Sequence, residues 1–246
     1  MTRARVVFIP APNPGGLAKR SRYNSRGVDL ARNAPVDSPG PTPWLFGGHR
    51  LAPWLPGFRG KSGEPMQAEA HALVEFVLAQ SSLRRRLVAV ECESRAGRGD
   101  LLWFPHRHSS EPMPWLPLMM RLKNLLDAEM PAQAPSMAPR WLEGLAHGAM
   151  WDHVLLRARP LHIEEGRLAL LTLSMGRRPW LSAPLPAAMR SNPSASAFHF
   201  RTRLAEVLMG AASSSPAWMD IDPSERSTLL SAALDAWSTG AAPRLS

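Results

Sequence analysis

An α+β fold, with one antiparallel sheet and helices on one of its faces, is predicted by three observations. Short runs rich in β-branched, aromatic and leucine side chains occur at 5–9, 87–92, 101–104, 153–159 and 168–174. Segments with helical periodicity or capping signals occur at 64–80, 115–129, 139–148, 196–210 and 222–239. The first six elements follow the order strand, helix, strand, strand, helix, strand, which is the split βαβ, or ferredoxin-like, order.

The elements are justified in turn. "RVVFI" (5–9) is β-branched and aromatic and is ended by Pro10. In 64–80, Met66, Ala70, Leu73, Val74, Val77 and Leu78 fall on one helical stripe, with Pro65 suited to the first turn. "LVAVEC" (87–92) and "LLWF" (101–104) are strands joined by the polar "ESRAGRGD". The proline-rich "MPAQAPSMAP" separates helices 115–129 and 139–148. "HVLLRAR" (153–159) and "LALLTLS" (168–174) are strands around a turn at Glu165-Gly166. In 222–239, Asp222 is the N-cap, Pro223 takes the first position and Glu225 the third. Leu229, Leu230, Ala233, Leu234 and Trp237 then form the apolar stripe, with Gly240 behind it.

Residues 1–175 are expected to form the ferredoxin-like domain and residues 176–246 a C-terminal helical region. Residues 10–62 read as a long ordered loop. They carry nine prolines and eight glycines, yet Trp44, Phe46, Trp54 and Phe58 make them too apolar for a free linker. The single cysteine, Cys92, excludes an internal disulfide and a multi-cysteine zinc site. No apolar run approaches the ~20 residues that span a bilayer. No secretory leader is evident, and a cytoplasmic location is expected.

Charge is distributed unevenly. The chain holds 29 basic and 20 acidic side chains, for a net +9. Residues 1–62 hold ten of the basic and two of the acidic ones, so nearly all the excess lies at the front. A segregated positive charge favours a polyanionic partner, because each neutralised phosphate releases condensed counterions. GC-rich codon usage accounts for arginine over lysine, but not for the segregation.

Several clusters carry candidate chemistry. In "LAKRSRYNSRG" (17–27), Lys19, Arg20, Arg22 and Arg26 surround Tyr23, the lone tyrosine. Such a stretch suits a phosphate clamp with one stacking ring, a transit peptide or a solvated tail. Its neighbouring prolines and Gly15-Gly16 oppose the amphipathic helix of a transit peptide. Arg50 extends this basic segment. Arg84, Arg85 and Arg86 stand at a helix-to-strand junction, where they either continue a phosphate track or complement a helix end. Arg95 and Arg98 precede the strand holding Trp103, and Trp103 and Phe104 point to opposite faces, so one at most stacks on a base.

For proton transfer, His49 in "FGGHR" lies in the basic loop and is paired with Tyr23 and Lys19 as a candidate catalytic set. His106 and His108 flank Arg107, whose charge opposes a divalent cation between them. Carboxylates do not cluster in the sequence. No GxxxxGK[ST], GxSxG or HExxH motif is present. No metal or cofactor is expected.

The element order, the basic charge and the histidine-bearing loop together resemble the RAMP superfamily of CRISPR-associated proteins, in particular its guide-RNA-processing members. The resemblance covers roughly residues 1–175. The glycine-rich loop typical of that group near the C-terminus is replaced by "MGRRPW" (175–180). The resemblance implies binding of a guide-RNA precursor, metal-independent endonucleolytic cleavage and a place in an antiviral ribonucleoprotein. Two other classes share the charge and composition. One is a non-catalytic ribonucleoprotein subunit of ribosomal type. The other is a protein-interaction module docking through the tryptophan-rich 44–58 segment. RNA, with further subunits of such a complex, is the expected partner, and no membrane is.

Overall fold

The computed structural model describes residues 5–83, 86–96, 100–131, 135–159, 167–177, 203–209 and 221–238. It is a mixed α/β structure built on a four-stranded sheet. The strands are β1 (Leu87–Ala96), β2 (Leu101–Phe104), β3 (Ser136–Pro139) and β4 (Leu168–Arg177), in the order β1-β4-β2-β3. β1 runs parallel to β4 over ten residues, from Leu87 opposite Leu168 to Ala96 opposite Arg177. β2 is antiparallel to β4 and parallel to β3. No helix among the described residues is long and apolar enough to cross a membrane.

The helices are α1 (Pro14–Ala18), α2 (Ala68–Leu83), α3 (Leu116–Glu129), α4 (Met150–Ala158), α5 (203–209) and α6 (Pro223–Ser238). α2 packs on β1 and on α4, and α3 packs on α6. In α3, Leu118, Met119, Leu122 and Leu126 form the buried stripe. α6 has the expected cap, with the Ser224 amide donating to Asp222 Oδ1 at 2.7 Å. It buries Leu229, Ala233 and Trp237. The Trp237 ring meets Phe104 edge-on, and its Nε1–H donates to the Met137 carbonyl at 2.9 Å. That bond places α6 on the sheet face bearing Leu102, Phe104 and Met137.

Three expected elements differ. Residues 5–9 form no strand and lie outside the sheet, with Val6, Val7, Phe8 and Ile9 all exposed. Their β-branched run has no ladder partner, and without one a strand has nothing to pay for its ordering. Residues 153–159 belong to helix α4, which buries Met150, Trp151, Val154, Leu155 and Ala158. The apolar run "VLL" satisfies either period, and the preceding Met150-Trp151 completes a helical stripe. Residues 139–148 are not one helix: Pro139 ends β3, a 3-10 turn covers Arg140–Glu143, and an irregular segment follows. The sheet therefore contains two parallel pairs, unlike the antiparallel sheet of the ferredoxin-like order. The Glu165-Gly166 turn, residues 196–202 of the expected helix and "RPW" (178–180) of "MGRRPW" lie outside the described residues.

The long loop is ordered by its own backbone. The Asp29 amide donates to the Phe58 carbonyl, and His49 and Arg59 exchange contacts with Gly57 and His49 in a short ladder. The loop is also pinned to residues 146–148. The Ala34 amide donates to the Gly148 carbonyl, the Gly148 amide to Val36, and the His147 amide to Gly47. The His147 ring accepts from the Ser38 amide at 3.0 Å. Asn33 fastens the loop to α2, since its side-chain oxygen accepts from the Gln67 amide and its side-chain nitrogen donates to the Arg59 carbonyl.

Candidate functional site

Strand alternation sets the site. On β1, the inward positions change from Leu87 and Ala89 to Glu91 and Glu93, and on β4 from Leu168 and Leu170 to Thr172 and Ser174. The parallel register places Glu91 opposite Thr172 and Glu93 opposite Ser174. One half of this sheet face is thus apolar and the other polar. The polar half forms the floor of a cleft of about 440 Å³, its open mouth included. Arg22 and Arg32 from the N-terminal segment, Arg107 from the stretch after β2, and Arg140 from the turn after β3 line it. Pro105, Met150 and Trp151 contribute apolar wall.

Three arginines are tied into a network. Glu93 accepts from Arg140 Nη2 at 2.6 Å and from the Ser174 hydroxyl at 2.6 Å, and Arg22 Nη1 lies 3.7 Å away. Arg22 Nε also donates to Asp29 at 2.8 Å. Glu143 bridges Arg107 and Arg140, each at 3.0 Å. The Arg140 guanidinium lies 5.8 Å above the Trp103 ring. Asp152, at the start of α4, accepts from the Arg107 and His108 amides and bonds His108 Nδ1, all at 2.7 Å. It thereby fixes the 106–108 stretch.

Arg32 is different. It is 7% exposed, lines the cleft, and its guanidinium makes no hydrogen bond or ion pair among the described residues. Burial lowers it to about 10; the nearby Asp29 carboxylate partly opposes this, and the like charges of Arg140 and Arg22 add to it. Burial likewise lowers Arg107 to about 9, again beside other arginines. Both remain cations at neutral pH. The two β1 carboxyls diverge. Burial, with the neighbouring Glu93 charge, raises Glu91. Burial alone would raise Glu93 too, but Arg140, the Ser174 hydroxyl and Arg22 outweigh it and hold Glu93 below the ordinary carboxylate range.

These opposite shifts give a testable pH signature. A carboxyl raised in the fold costs stability above its unfolded value, near 4.5 for glutamate. Glu91→Gln is therefore expected to raise the melting temperature at neutral pH. The gain should fade as pH falls through the ordinary carboxylate range, where Glu91 is protonated in both states. Thermal melts of the two proteins at pH 4 and pH 7.5 measure it; an equal gain at both values would contradict the assignment.

The residues expected from the sequence are largely dispersed. His49 is buried, its Nδ1 accepting from the Leu51 amide at 3.1 Å and its Nε2 donating to the Pro56 carbonyl at 2.9 Å. With both ring nitrogens engaged it is a bracket for the loop, and its hydrogen bonds join it to neither Tyr23 nor Lys19. Tyr23 is half-buried, and Lys19 and Arg20 are exposed at the end of α1. Arg26 pairs with Glu64 at 3.3 Å, and Arg50 donates to the Gly60 and Lys61 carbonyls. Trp103 is 3% exposed beneath Arg140, which corrects its expected role as a stacking platform. Arg86 lies half-buried just before β1. Arg84, Arg85 and Arg98, and the side chain of Arg95, lie outside the description. Of the described members of the expected set, Arg22 alone lines the cleft.

Glu91, Glu93, Arg32, Arg107 and Arg140 were not singled out as a site by the sequence. The signal present was the alternation "VECES" on β1 and "LTLS" on β4, two otherwise apolar strands that turn polar on one face at matching depths. The described residues hold no group of three or more His, Cys, Asp or Glu placed to bind a metal ion. No protein-family model and no curated protein sequence matches this chain.

Proposed function

We propose that the protein binds RNA, with a phosphate seated in the arginine cleft and flanking bases stacked on exposed aromatic rings of the N-terminal segment. The observation that carries this reading is Arg32, a buried side chain whose guanidinium makes no hydrogen bond or ion pair among the described residues, in a cleft that holds three more arginines. An unpaired buried cation is costly, and an anionic ligand is what offsets that cost. The N-terminal segment supplies stacking area. Trp44, Phe46 and Trp54 are exposed, Trp54 at 83%. A Cβ on Gly27 would sit 2.9 Å from the Pro53 carbonyl, so the Trp54 turn adjoins Arg26. Rings beside cations are the common equipment of single-stranded RNA surfaces.

A ribonucleoprotein subunit in the cytoplasm, of the kind that handles guide RNA, is the narrower form of this proposal. Cleavage of the bound strand would add an enzymatic step to it, one in which His49 takes no part. The protein-docking alternative is favoured by the same exposed rings, together with Leu51 at 68% exposure.

Fluorescence anisotropy with a labelled single-stranded 30-mer tests the proposal. Wild-type protein is expected to bind, with affinity falling steeply from 50 to 200 mM salt. Trp54→Ala should weaken binding about tenfold, since stacking contributes roughly 1–3 kcal/mol per base. Arg203→Gln, on α5 and away from the cleft, should leave it unchanged. Absence of binding at 50 mM salt would refute the RNA reading and favour a protein partner for the exposed rings.

A further inference from the structure

The cleft holds more unmet hydrogen-bond donors than its charge network explains. Arg32 brings a guanidinium with no acceptor among the described residues. Arg107 uses Nη1 on Glu143, but its Nε is buried and has no acceptor. Trp151, on the wall of the same cleft, has a buried indole N–H with no acceptor. These three residues come from the N-terminal segment, the stretch after β2 and the first turn of α4. No lining side chain has a buried oxygen left without a donor. Glu91 on the floor has one long contact, 3.5 Å from the Thr172 hydroxyl, and burial raises it toward its neutral form, so the unmet groups of the cleft are chiefly donors, which suits an anion with several oxygens.

We infer that the cleft is a site for a phosphate monoester, a terminal –OPO₃ group either free or at the end of an RNA strand. A monoester offers three terminal oxygens and a charge of about −1.5 to −2 at neutral pH, whereas an internal diester offers two and a single charge. Arg32 and Arg107 set two cations against that charge. A planar guanidinium fork also suits a phosphate face, and Arg32 has its whole fork to give. Pro105 and Met150 add apolar wall beside the arginines. Burial and like charge lower both Arg32 and Arg107, which is relieved when an anion enters.

This inference deepens the RNA reading where the monoester is an RNA end, but stands without it where the phosphate is free. The test uses the full chain and five probes: inorganic phosphate, adenosine 5′-monophosphate, and a ten-nucleotide RNA carrying a 5′-phosphate, a 3′-phosphate or hydroxyls at both ends. Inorganic phosphate and the monophosphate are expected to raise the melting temperature. At least one phosphorylated RNA should bind tenfold or more tighter than the hydroxyl form.

Arg32→Met should erase that preference and, by removing an unpaired buried charge, raise the melting temperature of the free protein by a few degrees. A residue needed just for packing would lower it. Should the variant fail to fold, displacement of the phosphorylated RNA by inorganic phosphate measures the same site in the wild-type protein. Equal affinity for all three RNA ends, with no thermal shift from millimolar phosphate, would overturn the inference while leaving general RNA binding intact. Binding of free phosphate and the monophosphate with no affinity for any RNA would keep the monoester site and refute the RNA reading.

Discussion

Arg140→Ala is expected to destabilise the protein by about 3–5 kcal/mol, the usual cost of stripping one partner from a buried ion pair. Arg140 and Glu93 are each 15% exposed at the side chain. Arg140 serves two carboxylates, Glu93 and Glu143, and covers the Trp103 ring. Its removal leaves Glu93 with the Ser174 hydroxyl and a longer contact to Arg22, and leaves Glu143 with Arg107 alone. The loss depends on pH in a defined direction. Glu93 is held below its ordinary range, so its contribution is present above the unfolded value and vanishes as pH falls through the folded one. The gap between wild type and variant should therefore be widest near neutrality and narrow toward pH 4. Pairing the change with Glu93→Gln should recover part of the loss. Urea titrations of the four proteins of this cycle supply the measurement, and strict additivity of the two single changes would contradict the pair.

The second large effect is steric. Gly148 has φ +72°, and a Cβ built there would lie 1.7 Å from the Arg32 carbonyl oxygen. The glycine lets residues 146–148 pass against the 3-10 turn Leu30–Arg32, and both ends of the contact are hydrogen-bonded through Ala34 and Val36. Gly148→Ala must push that turn away. The expected cost is at least about 3 kcal/mol, from a left-handed backbone and a backbone clash together. This corresponds to a fall in melting temperature of roughly 6–12 °C for a chain of this size. Gly63 is the control: φ is +77°, but a Cβ there meets nothing within 4 Å. Gly63→Ala should cost about 1 kcal/mol, from backbone conformation alone. Similar losses in the two variants would mean that the clash at Gly148 is relieved without displacing Arg32.

Local signals were legible where one residue pattern suffices. β1, β2 and β4, helix α3 and helix α6 lie where alternation, stripe or cap places them, and α2 starts four residues later than its apolar stripe suggests. Residues 5–9 show why a β-prone run alone is insufficient, since a strand exists through its neighbour. Residues 150–158 show that three consecutive apolar side chains leave the period undecided until their flanks are included. β3, inside a proline-rich stretch, gave no signal beyond its parallel pairing with β2, and Pro139 is tolerated at its end. The site was less legible than the fold. Acidic and hydroxyl residues alternate visibly on β1 and β4, but that they face one another follows from a parallel pairing no local pattern specifies. The arginines above them come from positions 22, 32, 107 and 140, brought together by tertiary structure. Much of the front-loaded charge, in Arg22, Arg26, Arg50 and Arg59, binds the chain to itself.

The sheet order imposes a sequence of events during synthesis. β4 is the last strand made among those described, yet it sits between β1 and β2. Glu91 and Thr172, which face each other in the register, are separated by 81 residues. A ribosome adding about 5–20 residues per second takes roughly 4–16 s to supply that length. Throughout this interval the β1 segment has no ladder partner, and β2 can pair only with β3. The β2-α3-β3 unit is therefore the natural first-folding piece, and entry of β4 is the step that closes the sheet and assembles the cleft. A nascent chain halted before Leu168 has no means of joining β1 to β2, so it is the species most exposed to chaperones and proteases.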